Sequence, residues 1–326
     1  MAPGQASPRR ARLFLLGKVG VSAGLLGLLF WRVDRAAFLN TIRAMPLHVF
    51  LGCFLLYLLG YLLSTVRWQR LLAAENIRIP LWRLTLLYFE GAFFNLFLPT
   101  LIGGDIVRGY AIYRLTGGHN ASLASILIDR LSGFAALMLI ALLSLSVAVT
   151  RIPHAPVALM ILGVAAAFGL LMAILLNDRM KDWAGSLFRL VGLARFQARL
   201  QGLVEAIHRY RSHRRALAQA LLLSAVLQAL IIVAYYFVGR GLKVGVPLAY
   251  FFVFVPLITV VAMLPVSVAG LGVREGGAVY FFALVGVDAA TSLSMALVWF
   301  ALTVLTSSLG ALAILANAHY AKRSGD

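Results

Sequence analysis

LTLLYFEGAFFNLFLPTLIGGDIVRGYAIYRL, residues 84–115, decides how this chain is read. The stretch is apolar enough to enter a bilayer, yet Pro99 and the pair Gly103-Gly104 interrupt it in the middle. A spanning helix takes ~20 residues. The stretch is therefore too short for two complete crossings and too long for one unbroken helix. That pattern predicts a re-entrant hairpin, because irregular backbone at membrane depth is tolerated where protein or a cavity surrounds it. Pro247–Val287 has the same character, broken by Pro265, Gly270 and Gly272.

Outward from these two segments the chain is a series of apolar runs. Hydrophobic residues make up 62% of the 326 positions and charged residues 12%, against about 45–50% and about 25% in soluble domains. The runs are continuous rather than alternating, which excludes a β-barrel. Spans are expected at Leu13–Trp31, His48–Val66, Asn120–Val149, Pro156–Leu176, Ala216–Val238 and Asp288–Ala316. The fold class is thus an all-α polytopic membrane protein of about six transmembrane helices plus two re-entrant hairpins. Arg9, Arg10 and Arg12 precede the first run as in a signal peptide, but the run reaches spanning length and lacks a small-residue cleavage site, so it reads as an uncleaved span. Asp34–Met45 reads as a short interfacial helix. Residues Asp178–Arg215 space Trp183, Leu187, Leu190, Leu200, Leu203, Ile207 and Tyr210 at helical intervals amid Arg and Lys, as in a helix lying on the membrane face; a solvated connector is the other reading.

Charge fixes the topology. With both termini cytoplasmic and both broken segments returning to their own side, Arg67, Arg70, Arg78, Arg83 and the basic residues from Arg179 to Arg215 fall in cytoplasmic loops. If residues 84–115 crossed once, that last basic group would lie outside, against the positive-inside rule. The formal net charge of +18 follows from such loops beside anionic headgroups and does not call for nucleic acid. The expected location is the inner (cytoplasmic) membrane.

The two broken segments also repeat. Ile79-Pro80-Leu81 precedes Leu98-Pro99 as Val246-Pro247-Leu248 precedes Leu264-Pro265; Gly104 and Gly270, then Arg108 and Arg274, follow at matching distances. The organisation read from this is a single membrane domain over 1–326. Repeat 1 covers about 48–149, a cytoplasmic connector about 177–215, and repeat 2 about 216–316. The flanking spans run in opposite directions, so the repeats are inverted, the architecture of secondary transporters with a midplane binding site.

Phe94-Asn95-Leu96-Phe97-Leu98-Pro99 and Gly103-Gly104-Asp105-Ile106-Val107-Arg108 together resemble the transmembrane domain of the lysylphosphatidylglycerol synthase/flippase family. Ile128-Asp129-Arg130-Leu131, Leu264-Pro265-Val266-Ser267, Gly270-Leu271-Gly272-Val273-Arg274-Glu275 and Arg67-Trp68 add to the resemblance, which covers about residues 13–316. It implies movement of lipids between leaflets, with membrane lipids bearing an anionic or phosphate group as partners. The chain stops shortly past its last span, so the synthase activity of bifunctional members is not expected.

Charges inside spans cost ~2.5–3.5 kcal/mol each on insertion scales, and they mark partners or cavities. Here they are Glu90, Asp105, Arg108, Asp129, Arg130, Arg274 and Glu275. Asp105 follows two glycines and is expected to cap the returning half-helix. A helix N-terminus with an arginine one turn in is also an anion site, so Arg108 and Arg274 read either as phosphate ligands or as members of structural ion pairs. Asp129 and Arg130 point about 100° apart and need different partners, structural or substrate. Asn95 and Ser267 are placed to satisfy broken backbone groups, or to touch ligand. The six His sit at span ends or in loops with no metal-ligand spacing, and Cys53 is alone; no metal and no cofactor is expected. No nucleophile elbow or phosphate-binding loop appears. The rival readings are an intramembrane lipid-modifying transferase using Asp105, Asp129 or Glu275, and a membrane regulator that transports nothing.

Overall fold

Every apolar run that the computed structural model describes has become helix, and no strand occurs among the described residues: 20, 23–29, 31, 34–97, 103–117, 119–148, 155–176, 209–264, 266–268 and 270–324. The helices are α1 (Arg35–Arg43), α2 (Leu47–Ala74), α3 (Leu81–Phe97), α4 (Gly103–Thr116), α5 (His119–Ala148), α6 (Ala155–Leu176), α7 (Arg214–Gly241), α8 (Leu248–Ala262), α9 (Val273–Ala283) and α10 (Ala289–Ser324). Five of them, α2, α5, α6, α7 and α10, are long and apolar enough to cross a membrane. The chain is a polytopic all-α membrane protein. Most of the expected first span, and the connector up to residue 208, lie outside the described residues.

The two interrupted segments each resolve into a pair of short helices. α3 has 17 residues and α4 has 14, about 25 and 21 Å long. α8 has 15 and α9 has 11, about 22 and 16 Å. Each falls short of the ~30 Å hydrocarbon core. Pro99 and Pro265 lie outside the described residues, so the breaks are defined by the helix ends that flank them.

One boundary differs from the sequence expectation and matters below. The apolar run that starts at His48 ends at Val66, but α2 continues to Ala74. Arg67, assigned above to a cytoplasmic loop, therefore lies within the helix and is buried at 5% exposure. Its guanidinium is held by helix-borne partners, which compensate a charge that the hydropathy pattern counts as loop.

The residues divide into two compact units, one of residues 1–58, 90–104 and 232–326, the other of 59–89 and 105–231; the boundaries fall inside α2, α3, α4 and α7. In the first unit α8 packs on α9, and α9 and α1 pack on α10. Its centre is aromatic. Tyr235 meets Phe251, Phe282 and Trp299, and Phe254 meets Phe281 and Phe282, with ring centroids 5.3–6.3 Å apart. The turn into α9 uses Gly270 and Gly272 at φ 76° and 81°, a region open to glycine at little cost. In the second unit, Trp68, Leu72, Leu84, Leu87, Ile112 and Ile126 form one buried cluster, and Leu71, Ala124, Ile128, Tyr210 and Ala220 form another. α5 packs on α6, with Phe134 and Phe168 rings 4.8 Å apart.

Candidate functional site

The second unit gathers five charged side chains from three helices. α4 presents Asp105 and Arg108 one turn apart, α5 presents Asp129 and Arg130, and the extension of α2 presents Arg67. Arg67 Nε donates to Asp129 Oδ1 at 2.7 Å, and its Nη1 donates to Ser224 Oγ on α7 at 2.8 Å. Arg130 Nε donates to Asp105 Oδ2 at 2.6 Å, while Arg108 Nη1 reaches Asp105 Oδ1 at 3.3 Å. Asp129 and Arg130 do take different partners, as their angular separation requires. Asp105 and Asp129 are 5% and 1% exposed. Such carboxylates are tolerable only because arginines meet both oxygens of each.

The hydrogen bonds that Asp105 makes among the described residues are to arginines rather than to the start of α4. Both of its carboxylate oxygens are taken by arginines, and in the first unit the Gly104 N–H donates instead to Asn95 Oδ1 at 2.8 Å. A side chain from the preceding helix thus supplies the acceptor that the helix start lacks. A Cβ on Gly104 would run into the Gly91 carbonyl, so the close approach of these backbones requires glycine there. Gly103 opens α4 and is buried. Glu90 lies on α3, partly buried and already engaged in an interaction.

Arg108 is the unusual member. It is 3% exposed, and its guanidinium carbon lies 4.1 Å from the Trp68 ring centroid and 4.0 Å from that of Tyr88. Two aromatic faces therefore sandwich the cation and fix its plane. Trp68 is itself anchored, its Nε1 donating to Ser125 Oγ at 3.2 Å. Within that plane Nη1 is satisfied by Asp105. Nη2 lies 3.5 Å from Asp129 Oδ2, an ion pair without hydrogen-bond geometry, and neither Nε nor Nη2 has a hydrogen-bond partner. These two nitrogens form the side-on fork with which a guanidinium grips two oxygens of an anion. In Arg209 the same two atoms bind Glu75 Oε2 at 3.3 and 3.2 Å.

The first unit carries the counterpart. Arg274 closes its fork on its neighbour, with Nε 3.0 Å from Glu275 Oε1 and Nη2 on the same oxygen. Glu275 is fully buried, and its other oxygen accepts from the Gly272 N–H at 2.6 Å. That carboxylate caps α9 and neutralises Arg274 at once. Arg274 also sits 5.2 Å from the Phe300 ring. Ser267 is buried at 3% exposure, and its hydroxyl has no hydrogen-bond partner.

Sequence reasoning missed Arg67, Trp68, Tyr88 and Ser224 as site members. Arg67-Trp68 carried a signal in the family resemblance alone. Tyr88 and Ser224 carried none, since an aromatic or a hydroxyl in an apolar run is ordinary core.

Buried arginine–carboxylate pairs carried by the helices of a chain with five apolar spans define a polytopic membrane protein with internal charges. The chain belongs to the family described as the lysylphosphatidylglycerol synthase TM region, whose model matches residues 15–310. It is also similar to the UPF0104 membrane protein PH1989 of Pyrococcus horikoshii, 26% identical, over 86% of this chain and 90% of that protein.

Proposed function

We propose that this chain is a lipid translocase that moves a phosphate-bearing lipid between the leaflets of the cytoplasmic membrane. The observation that carries the reading is the open fork of Arg108. A buried guanidinium with two unsatisfied donors is costly. A phosphate offers the acceptors in the geometry the fork fits. Asp129, 3.5 Å from Nη2, holds the cation until the phosphate arrives. Membership of a family of lipid-linked membrane domains supports the same reading.

In this reading α3 with α4 and α8 with α9 are re-entrant hairpins, members of an inverted repeat, and both termini face the cytoplasm. In the same reading the chain is not an enzyme, which is supported by the arginine hydrogen bonds that Asp105, Asp129 and Glu275 each accept. It uses no cofactor.

The test is leaflet translocation of a labelled phospholipid in proteoliposomes. Arg108→Lys keeps the charge and loses the fork, so transport falls at least about tenfold, the order expected from losing one charge-assisted bidentate contact. Transport at the parental rate by Arg108→Gln paired with Asp105→Asn would rule the reading out, because the cluster would then be structural only.

A further inference from the structure

We infer that the first unit holds a resident anionic phospholipid in a groove of about 310 Å³ lined by Ile42, Met45, Leu47, Phe50, Val298 and Ala301. The site is formed where the end of α1, the start of α2 and the first half of α10 meet. It involves none of the charged side chains invoked for translocation, and it does not rest on that reading.

The groove's chemistry specifies one end of the occupant. Its named lining is wholly apolar, and its volume is at the small end of pockets that enclose a ligand. A flexible acyl chain suits it, since a polar ligand would find no partner there.

The rim specifies the other end. α1 lies along α10 with Phe38 packed against the Ala290–Leu293 cluster, and it ends at Arg43, whose side chain is exposed beside the lining residue Ile42. The end of α7 reaches the same place. A Cβ on Gly241 would come within 2.8 Å of Met45 Sδ and 3.2 Å of Val49, so Arg240 and Lys243, both exposed, flank the Met45 corner. Lys243 holds a left-handed conformation at φ 63° in the turn that leaves α7. No Asp or Glu occurs in residues 40–50, 238–248 or 294–304. Asp34 caps the opposite end of α1, about 13 Å away along the helix. Three exposed cations thus lie next to, or within two residues of, positions that line or touch an apolar slot, in stretches of sequence without an acid. An anionic phospholipid satisfies both, with its chain in the slot and its phosphate on the cations. A zwitterionic lipid satisfies the slot and gains less from the rim.

The experiment titrates the purified full chain with phosphatidylglycerol or phosphatidylcholine and counts retained lipid by native mass spectrometry. The parent is expected to keep one phosphatidylglycerol at concentrations at which phosphatidylcholine is lost. Ala301→Trp, which fills the slot, removes retention of both. Arg43→Gln, Arg240→Gln and Lys243→Gln touch only exposed side chains; each weakens phosphatidylglycerol about fivefold and leaves phosphatidylcholine unchanged. Leu159→Trp on α6, a lipid-facing position of the other unit, changes neither. The inference is overturned if the parent keeps both lipids equally, which marks ordinary annular lipid. It is also overturned if Ala301→Trp retains phosphatidylglycerol like the parent, if the triple variant combining Arg43→Gln, Arg240→Gln and Lys243→Gln keeps the preference, or if detergent alone is retained. Should Ala301→Trp not fold, the triple variant decides alone.

Discussion

Arg108 and Arg274 stand at matching places in the sequence repeat, and the structure surrounds them differently. Arg274 spends its side-on fork on Glu275, the next residue, which also caps α9 through Gly272. That arrangement is local and complete within one turn. Arg108 has its nearest carboxylate on Nη1, its second at 3.5 Å, and its fork unfilled between two aromatic rings. Its carboxylates come from α4 and α5, and its rings from α2 and α3. A repeated motif therefore preserves the position of a cation without preserving its chemistry. One copy is closed, and the other is held ready by residues far apart in the chain.

The largest expected effect separates the two arrangements by stability. Asp129→Ala strips the carboxylate that meets both Arg67 and Arg108, leaving buried charge uncompensated, and should cost about 3–5 kcal/mol. Glu275→Gln keeps an acceptor for the Gly272 N–H and abandons one half-buried arginine, so its cost should be about 1–3 kcal/mol. Denaturant unfolding in detergent measures both. Equal losses would erase the distinction between a shared and a local pair. Arg67→Gln combined with Asp129→Asn should recover much of the Asp129 loss.

The breaks come next. Gly104→Ala places a methyl group against the Gly91 carbonyl, where backbone must move. Gly270→Ala meets Ala262 O at 2.9 Å and also forces φ 76° on a side chain. Overpacking of this kind costs about 1–3 kcal/mol, and a left-handed alanine about 1–2 kcal/mol. Both variants should insert and lose translocation in proteoliposomes. Normal transport by either would show that its break is not part of the working mechanism.

Much of this arrangement was legible in the sequence, for definable reasons. Span limits followed from apolar runs because bilayer thickness sets a length. The breaks followed from proline and glycine because few other residues stop a helix there. The end of α2 was misjudged because hydropathy stops at Val66 while backbone hydrogen bonding continues to Ala74; nothing in Arg67-Trp68-Gln69-Arg70 forbids helix. Asp105 was assigned to a cap from local spacing. Its shortest hydrogen bond comes from Arg130 on another helix, a use that only tertiary contact reveals. Tyr88 and Trp68 become site residues solely by lying on either face of one guanidinium, a relation that spacing along the chain does not encode.

A smaller effect tests fork geometry directly. Arg274→Lys replaces a fork already filled by Glu275 with an ammonium that can still meet that oxygen, so translocation should fall no more than about threefold, the order of losing one of two hydrogen bonds to it. The Arg108→Lys loss described above should exceed it clearly. If Arg274→Lys is the more damaging in the same proteoliposome assay, the closed copy is the working one and the comparison is inverted.

The last comparison concerns the aromatic rings, and it isolates what holds Arg108 ready. Arg108 lies 4.0 and 4.1 Å from two ring centroids, whereas Arg274 lies 5.2 Å from one. Cation–π attraction is worth ~2 kcal/mol when desolvated and ~0.5–1 kcal/mol at exposed sites, so Tyr88→Leu should cost more than Phe300→Leu. Packing confuses the raw numbers, since Tyr88 also meets Tyr61 at 5.8 Å and Trp68 at 6.3 Å. The measurement is therefore a double-mutant cycle in unfolding free energy, pairing each leucine variant with Arg→Gln at its own cation. The coupling between Tyr88 and Arg108 should be about 1–2 kcal/mol, and that between Phe300 and Arg274 about 0.5 kcal/mol. Equal couplings would mean that the rings serve as ordinary core, and that the carboxylates alone orient the fork. A larger coupling at Tyr88 would place the readiness of Arg108 in its aromatic walls, which close its faces and leave Nε and Nη2 without a hydrogen-bond partner.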